Sequence, residues 1–220
     1  PLATAYFLVL VVKMTDASCD LEHPEVIIFN CPSIPDRTSF LLKKSNENPV
    51  PPMVRIAERL EIEGASYIAI PCITAHSFYS ELTEKVKLPI INMIDEAVME
   101  LKKNGISRAG IMATDGTIFS GFFQRKLEAA GIKVSIPSEA SQDKIETIIY
   151  KQVKAGKPVN MKYFSEVQEE LREKGAEVII LGCTELSLIK KEESIGQGFL
   201  DPMEALARKC VELCCGRVKE

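Results

Sequence analysis

Short apolar runs alternate with amphipathic stretches along most of this chain. Runs rich in β-branched residues at 26–29 (VIIF), 67–70 (YIAI), 89–93, 109–113 (AGIMA), 133–136 and 178–181 (VIIL) predict buried strands. Stretches at 53–63, 77–86, 95–104, 119–130, 142–154, 163–174 and 202–218 have helical character. Gly64, Gly105, Gly131 and Gly175 stand at predicted helix ends, where glycine accepts the left-handed conformation that closes a helix. The alternation predicts an α/β protein with parallel sheets. Residues 6–12 (YFLVLVV) are ambiguous, because β-branched propensity alone makes them a buried strand.

The pattern contains an internal repeat. Glu58 to Cys72 and Glu169 to Cys183 match at a spacing of 111 residues. In each copy a Glu and a Leu precede a Gly-Ala pair, an apolar run follows, and a Cys stands eight residues after the Gly. The unit reads as helix, glycine cap, strand, then a Cys at the strand's carboxyl end. Ligands of open α/β sheets bind outside that end. A thiolate there gains from the free N–H groups and dipole of the next helix. A single Cys ending a strand is more often a small buried apolar residue. Two at equivalent positions suggest two similar lobes, each presenting one thiol to a shared cleft. The expected boundaries are residues 1–93 plus 200–220 for the first lobe and 94–199 for the second.

Composition narrows the function classes. The 220 residues carry a net charge of -4 without a basic block, which argues against a nucleic-acid partner. Residues 6–12 form the longest apolar run, far short of the roughly 20 needed to span a bilayer. No Lys or Arg precedes that run, so it makes a poor signal peptide, and a cytoplasmic location is the expectation. Seven Cys, an odd number in a chain of this size, argue against a disulfide scaffold. With no C-x-x-C and only two His, no standard zinc site is predicted. Cys210, Cys214 and Cys215 share one predicted helix and read as packing residues.

Two opposed thiols suit one reaction well. Racemisation removes an α-proton from one face of a carbon and returns a proton to the other. A thiolate and a thiol on opposite sides perform both halves and exchange roles for the other enantiomer. If each sulfur sits roughly 3–3.5 Å from the carbon, the two lie about 7 Å apart, too far for a disulfide.

The residues around these thiols resemble the aspartate/glutamate racemase family, aspartate racemases above all. Pro71-Cys72-Ile73-Thr74-Ala75-His76 resembles that family's PCNTAH motif, and Gly182-Cys183-Thr184-Glu185 its GCTE motif. Pro1-Leu2-Ala3-Thr4-Ala5, Glu22-His23-Pro24, Ile34-Pro35-Asp36-Arg37-Thr38, Ala113-Thr114-Asp115-Gly116-Thr117, Val153-Lys154-Ala155-Gly156 and Asp201-Pro202-Met203 are similar to family motifs in the same order. The resemblance implies two pseudo-symmetric Rossmann-like lobes with the active site between them, often a homodimer, and neither pyridoxal phosphate nor metal. It implies that Cys72 and Cys183 are the acid/base pair acting on an acidic amino acid. It places Arg37 and Lys154 as carboxylate contacts, although each read alone is an ordinary solvated cation. Thr74 and Thr184 supply hydroxyls beside the thiols. The loop of Thr114, Gly116 and Thr117 either holds a carboxylate at a helix start or simply caps it. His76 reads as structural. Glu185 either orients Cys183 or caps the next helix.

The chain departs from the pattern in two places. Ile73 replaces the motif's Asn, which removes a hydrogen-bonding group beside Cys72. The family also carries a first strand and a Gly-rich turn (GGMG) just ahead of PLATA, whereas Pro1 stands inside that motif. Residues 6–12 are then expected either as a replacement strand or, in family register, as a helix. A broad-specificity or glutamate racemase, or a weakly active or non-catalytic relative, is the alternative reading.

Overall fold

The computed structural model describes residues 1–219. Its first element is a helix, α1 (Leu2–Met14), so packing overrides the strand propensity of residues 6–12. Tyr6, Leu10 and Val11 form the buried face of this helix, turned toward the two last helices of the chain. The short helix α2 (Arg37–Leu41) follows, capped by Asp36, whose carboxylate accepts the Ser39 N–H at 2.7 Å. Next come α3 (Val50–Ile62), a 3₁₀ turn at Thr74–Phe78, α4 (Tyr79–Lys85) and α5 (Met93–Lys103). Asn92 starts α5 by accepting the N–H groups of Ile94 and Asp95.

A four-stranded parallel sheet follows, built of β1 (Arg108–Ala113), β2 (Lys133–Ser135), β3 (Val178–Gly182) and β4 (Phe199–Leu200), in the order β2-β1-β3-β4. Its connections and flanks are α6 (Asp115–Ser120), α7 (Phe122–Ala129), α8 (Glu139–Glu146), α9 (Met161–Glu173), α10 (Thr184–Glu192) and α11 (Pro202–Cys214). β1 and β3 run in register from Ala109–Val178 to Ala113–Gly182. Both faces of this pair are covered, which is why their sequences are continuously apolar. Ile111, Ala113 and Ile180 join the core with α5, α7 and α11. Met112, Ile179 and Leu181 join a second core with residues of α8, α9 and α10. A third cluster, of Val50, Met53, Ala57, Ile68, Phe78, Leu82 and Ile90, lies apart in the first half of the chain.

Several expectations are corrected. Residues 26–29 form no strand, and Val26, Ile27 and Ile28 are 46%, 45% and 43% exposed. The runs at 67–70 and 89–93 shrink to one parallel bridge, Ile68 to Ile90, and Met93 already belongs to α5. That bridge resembles the second unit, since Ile179, 111 residues after Ile68, pairs in parallel with Phe199, 109 residues after Ile90. Beside residues 67–70, however, no described strand stands where β1 stands beside β3. A cavity lies there instead, bordered by Val26, Ile27, Ile28, Ile68 and Ile70. Residues 26–29 therefore join no ladder, and residues 67–70 make only the one bridge. The expected helix at 119–130 is two helices, split at Gly121, whose φ of 64° ends α6. The expected helix at 142–154 is α8 continued by a π-helix at Thr147–Val153. No described helix is long and apolar enough to cross a membrane.

Candidate active site

Both repeat cysteines come to one cavity of about 1090 Å³. Cys183 follows β3 directly and stands at the N-cap position of α10. It is buried, and its Sγ–H donates to Glu185 Oε2 at 2.8 Å. Glu185 therefore holds the thiol and does not cap the helix through its side chain. Burial pushes the Cys183 thiol well up, the Glu185 charge adds to this, and Lys154 opposes it.

Cys72 is half-buried, at the end of the extended stretch after Ile68. His76 pins that turn. Its Nδ1–H donates to the Cys72 carbonyl at 2.9 Å, and its Nε2 accepts the Met93 N–H at 3.1 Å. With both nitrogens used and burial pushing its pKa down, His76 is a neutral structural ring that ties the Cys72 turn to the start of α5. Arg37 comes from the first turn of α2 and donates to the carbonyls of Ile34 and Pro35. The neighbouring Cys72 side chain raises the guanidinium pKa further, and burial opposes this.

Lys154 arrives where the π-helix ends, with its Nζ 4.0 Å from the centre of the Tyr150 ring. Tyr150 lines the same cavity, and burial raises its phenol pKa. Tyr150 and Thr38 were not singled out from the sequence. Adjacency was the available signal: Thr38 follows Arg37, and Tyr150 stands four residues before Lys154.

Of the sequence-predicted residues, Arg37, Cys72, Thr74, Thr114, Lys154, Cys183 and Thr184 all line the cavity, whereas Gly116 and Thr117 are packed behind it. The threonines bind one another. Thr74 Oγ1 lies 3.0 Å from Thr117 Oγ1 and 3.3 Å from Thr114 Oγ1, and Thr38 donates to Thr114 at 3.2 Å. This buried hydroxyl knot joins the Cys72 turn, α2 and the start of α6. The same place demands Gly116, since a Cβ there would stand 2.7 Å from Thr38 Cα. The first amide of α6, that of Asp115, already holds a carboxylate of the protein itself, Glu146 Oε1 at 2.8 Å. Thr114 Oγ1 accepts the Thr117 N–H at 3.4 Å, so this loop works as a cap.

A family model for Asp/Glu/hydantoin racemases matches residues 1–210. The chain belongs to that family. An aspartate racemase of Picrophilus torridus is 30% identical, with a TM-score of 0.86 over 100% of this chain and 92% of that one. A broad-specificity amino-acid racemase of Bacillus subtilis is 26% identical over 90% of this chain and 86% of its own. A glutamate racemase of Aquifex pyrophilus is 32% identical over 60% of this chain and 51% of its own. The members of this racemase family are isomerases that work without pyridoxal phosphate. Within this family frame, the cavity brings together two thiols, a guanidinium, an ammonium and hydroxyls. Thiols near neutrality exchange protons, and the two cations suit carboxylate groups.

Proposed function

We propose that this chain is a cofactor-independent racemase of acidic amino acids, aspartate first, working by proton transfer between Cys72 and Cys183. The supporting observation is that both thiols line one cavity, with Arg37 beside Cys72 and Lys154 facing Cys183. In one direction the Cys72 thiolate takes the α-proton, and the Cys183 thiol gives its proton to the opposite face of the carbanion. The reverse direction exchanges these roles. Arg37 and Lys154 hold the substrate carboxylates and stabilise the charge that builds on the α-carboxylate. Thr74, Thr114 and Thr184 offer hydroxyls from the buried wall of the cavity. Gly116 and Thr117 act one layer behind, by letting α2 meet α6. The site is read as the junction of two lobes, residues 1–93 with 200–220 and residues 94–199. The separate apolar cluster around Val50 and Ile68 supports that division. A second copy of the chain is the proposed partner, on family resemblance.

A broader substrate range is the second reading. The Bacillus subtilis relative is a broad-specificity enzyme, which supports it. Nuclear magnetic resonance of α-proton exchange in deuterated water, run on L- and D-aspartate, glutamate and a panel of other amino acids, tests both readings. Aspartate should exchange fastest. Cys72→Ala and Cys183→Ala should each lower racemisation by about 100-fold or more. Unchanged turnover in either variant overturns the two-thiol mechanism, and no exchange with any amino acid in folded protein overturns the racemase reading.

A further inference from the structure

The two thiols have unlike neighbours. Cys72 shares the cavity wall with Arg37 and has no carboxylate hydrogen-bonded to it among the described residues. Cys183 is 7% exposed and donates to Glu185 Oε2 at 2.8 Å, an oxygen that also accepts the Thr184 hydroxyl at 3.4 Å. The other groups facing the Cys183 sulfur are the Glu185 N–H, the Lys154 ammonium and the Tyr150 phenol. Glu185 sits in the first turn of α10, two residues beyond Cys183, so the same helix start that orients the thiol also sets the carboxylate against it. A carboxylate that accepts a thiol's hydrogen favours the thiol over the thiolate.

We propose that Glu185 is a positioning residue that keeps the proton on Cys183, so that Cys183 waits in the free enzyme as the acid of the pair. This rests on the racemase reading above. One turnover moves the α-proton to the Cys72 sulfur and the Cys183 proton to the other face of the carbon. It ends with a Cys72 thiol and a Cys183 thiolate facing Glu185. That form is the less stable one, and it returns to rest when Cys72 releases a proton to water and Cys183 takes one up. The two enantiomers have equal free energy, so kcat/KM stays equal in both directions whatever Glu185 does. Glu185 governs instead the pH at which Cys183 ionises and the difference between the two kcat values.

The test is alkylation of the full chain by iodoacetamide across pH, with peptide mass spectrometry at Cys72 and Cys183, in the wild type and in Glu185→Gln. The midpoint of the Cys183 pH–rate curve should fall by about one unit or more in Glu185→Gln, which is about tenfold more thiolate below the midpoint. The Cys72 midpoint should not move. Glu185→Asp, which keeps the charge, should lie between the two. If burial blocks alkylation of Cys183, ultraviolet thiolate absorbance of each protein minus its Cys183→Ser counterpart reads the same midpoint. An unmoved Cys183 midpoint in Glu185→Gln overturns the proposal, even if α-proton exchange is normal. Absent exchange with a normal midpoint shift overturns the racemase reading and leaves the role of Glu185 standing.

Discussion

Ile73 shows what a single side chain does at this site. Like its neighbour Cys72 it borders the cavity, yet it is 2% exposed and belongs to the core with Met93 and Ile94. An apolar side chain at this position therefore packs, in addition to lacking the amide of the family motif. Ile73→Asn would bury an amide in an apolar cluster, and an unsatisfied buried polar group costs about 1–3 kcal/mol. Urea denaturation should show that loss, and a variant as stable as the wild type would mean the Asn finds partners in the cleft. The thiols themselves were legible from residue spacing alone, because the repeat places a Cys at the same point of both units. Tyr150 was not, because a lone Tyr in a helical stretch carries no pattern until the fold brings it to the cavity under Lys154.

At the scale of elements, the site depends on how α2 and α6 touch. Gly116 allows their close approach, and the threonine knot ties it. Gly116→Ala should push α2 outward and carry Arg37 with it. Misplacement of a binding group by about 1 Å is costly, so KM for the amino acid should rise about tenfold or more while the fold persists. An unchanged KM would remove α2 from the site. Helix α11 carries a pH dependence of its own. Asp201 caps it, accepting the Met203 N–H at 2.9 Å and the Ser187 hydroxyl at 2.8 Å through Oδ1, while Oδ2 is buried without a partner. Burial, with the charge of Glu204, pushes this carboxyl up to about 6. A raised carboxyl stabilises the fold only while protonated. That contribution is complete below its ordinary value of 3.8 and is lost as pH rises through about 6. Relative to Asp201→Asn, which keeps the cap but cannot titrate, the wild type should lose about 3 kcal/mol between these limits. Denaturation curves across pH measure it, and parallel profiles for the two proteins would refute it. The long helices were legible in the sequence because their glycine stops and apolar faces agree. Their breaks were not: Gly121 and the π-helix at Thr147–Val153 interrupt continuous helical patterns for tertiary reasons.

The whole molecule is unevenly braced. β1 and β3 are paired on both sides and covered on both faces, so opening them means opening the sheet. Their apolar runs read as strands in the sequence and are strands. Equally apolar runs at 26–29 and 67–70 read the same way, but a strand is completed by its neighbours, and sequence propensity is silent about those. Residues 26–29 donate and accept no backbone hydrogen bond among the described residues. The 67–70 run is joined to another segment only by the Ile68 N–H on Pro89 O at 3.0 Å and the Ile91 N–H on Ile68 O at 2.8 Å, and Ile70 O accepts the nearby Cys72 N–H at 2.7 Å. Amide exchange follows the local cost of opening. Hydrogen–deuterium exchange read by mass spectrometry should therefore find peptides of β1 and β3 protected about a thousandfold or more over those covering 24–30, with 67–71 between them. The thiols inherit the contrast: Cys183 ends a strand of the slow class, and Cys72 ends a run of the intermediate one. Equal protection of the two cysteine segments would show that the threonine knot and His76 hold the Cys72 turn as firmly as a complete sheet holds Cys183.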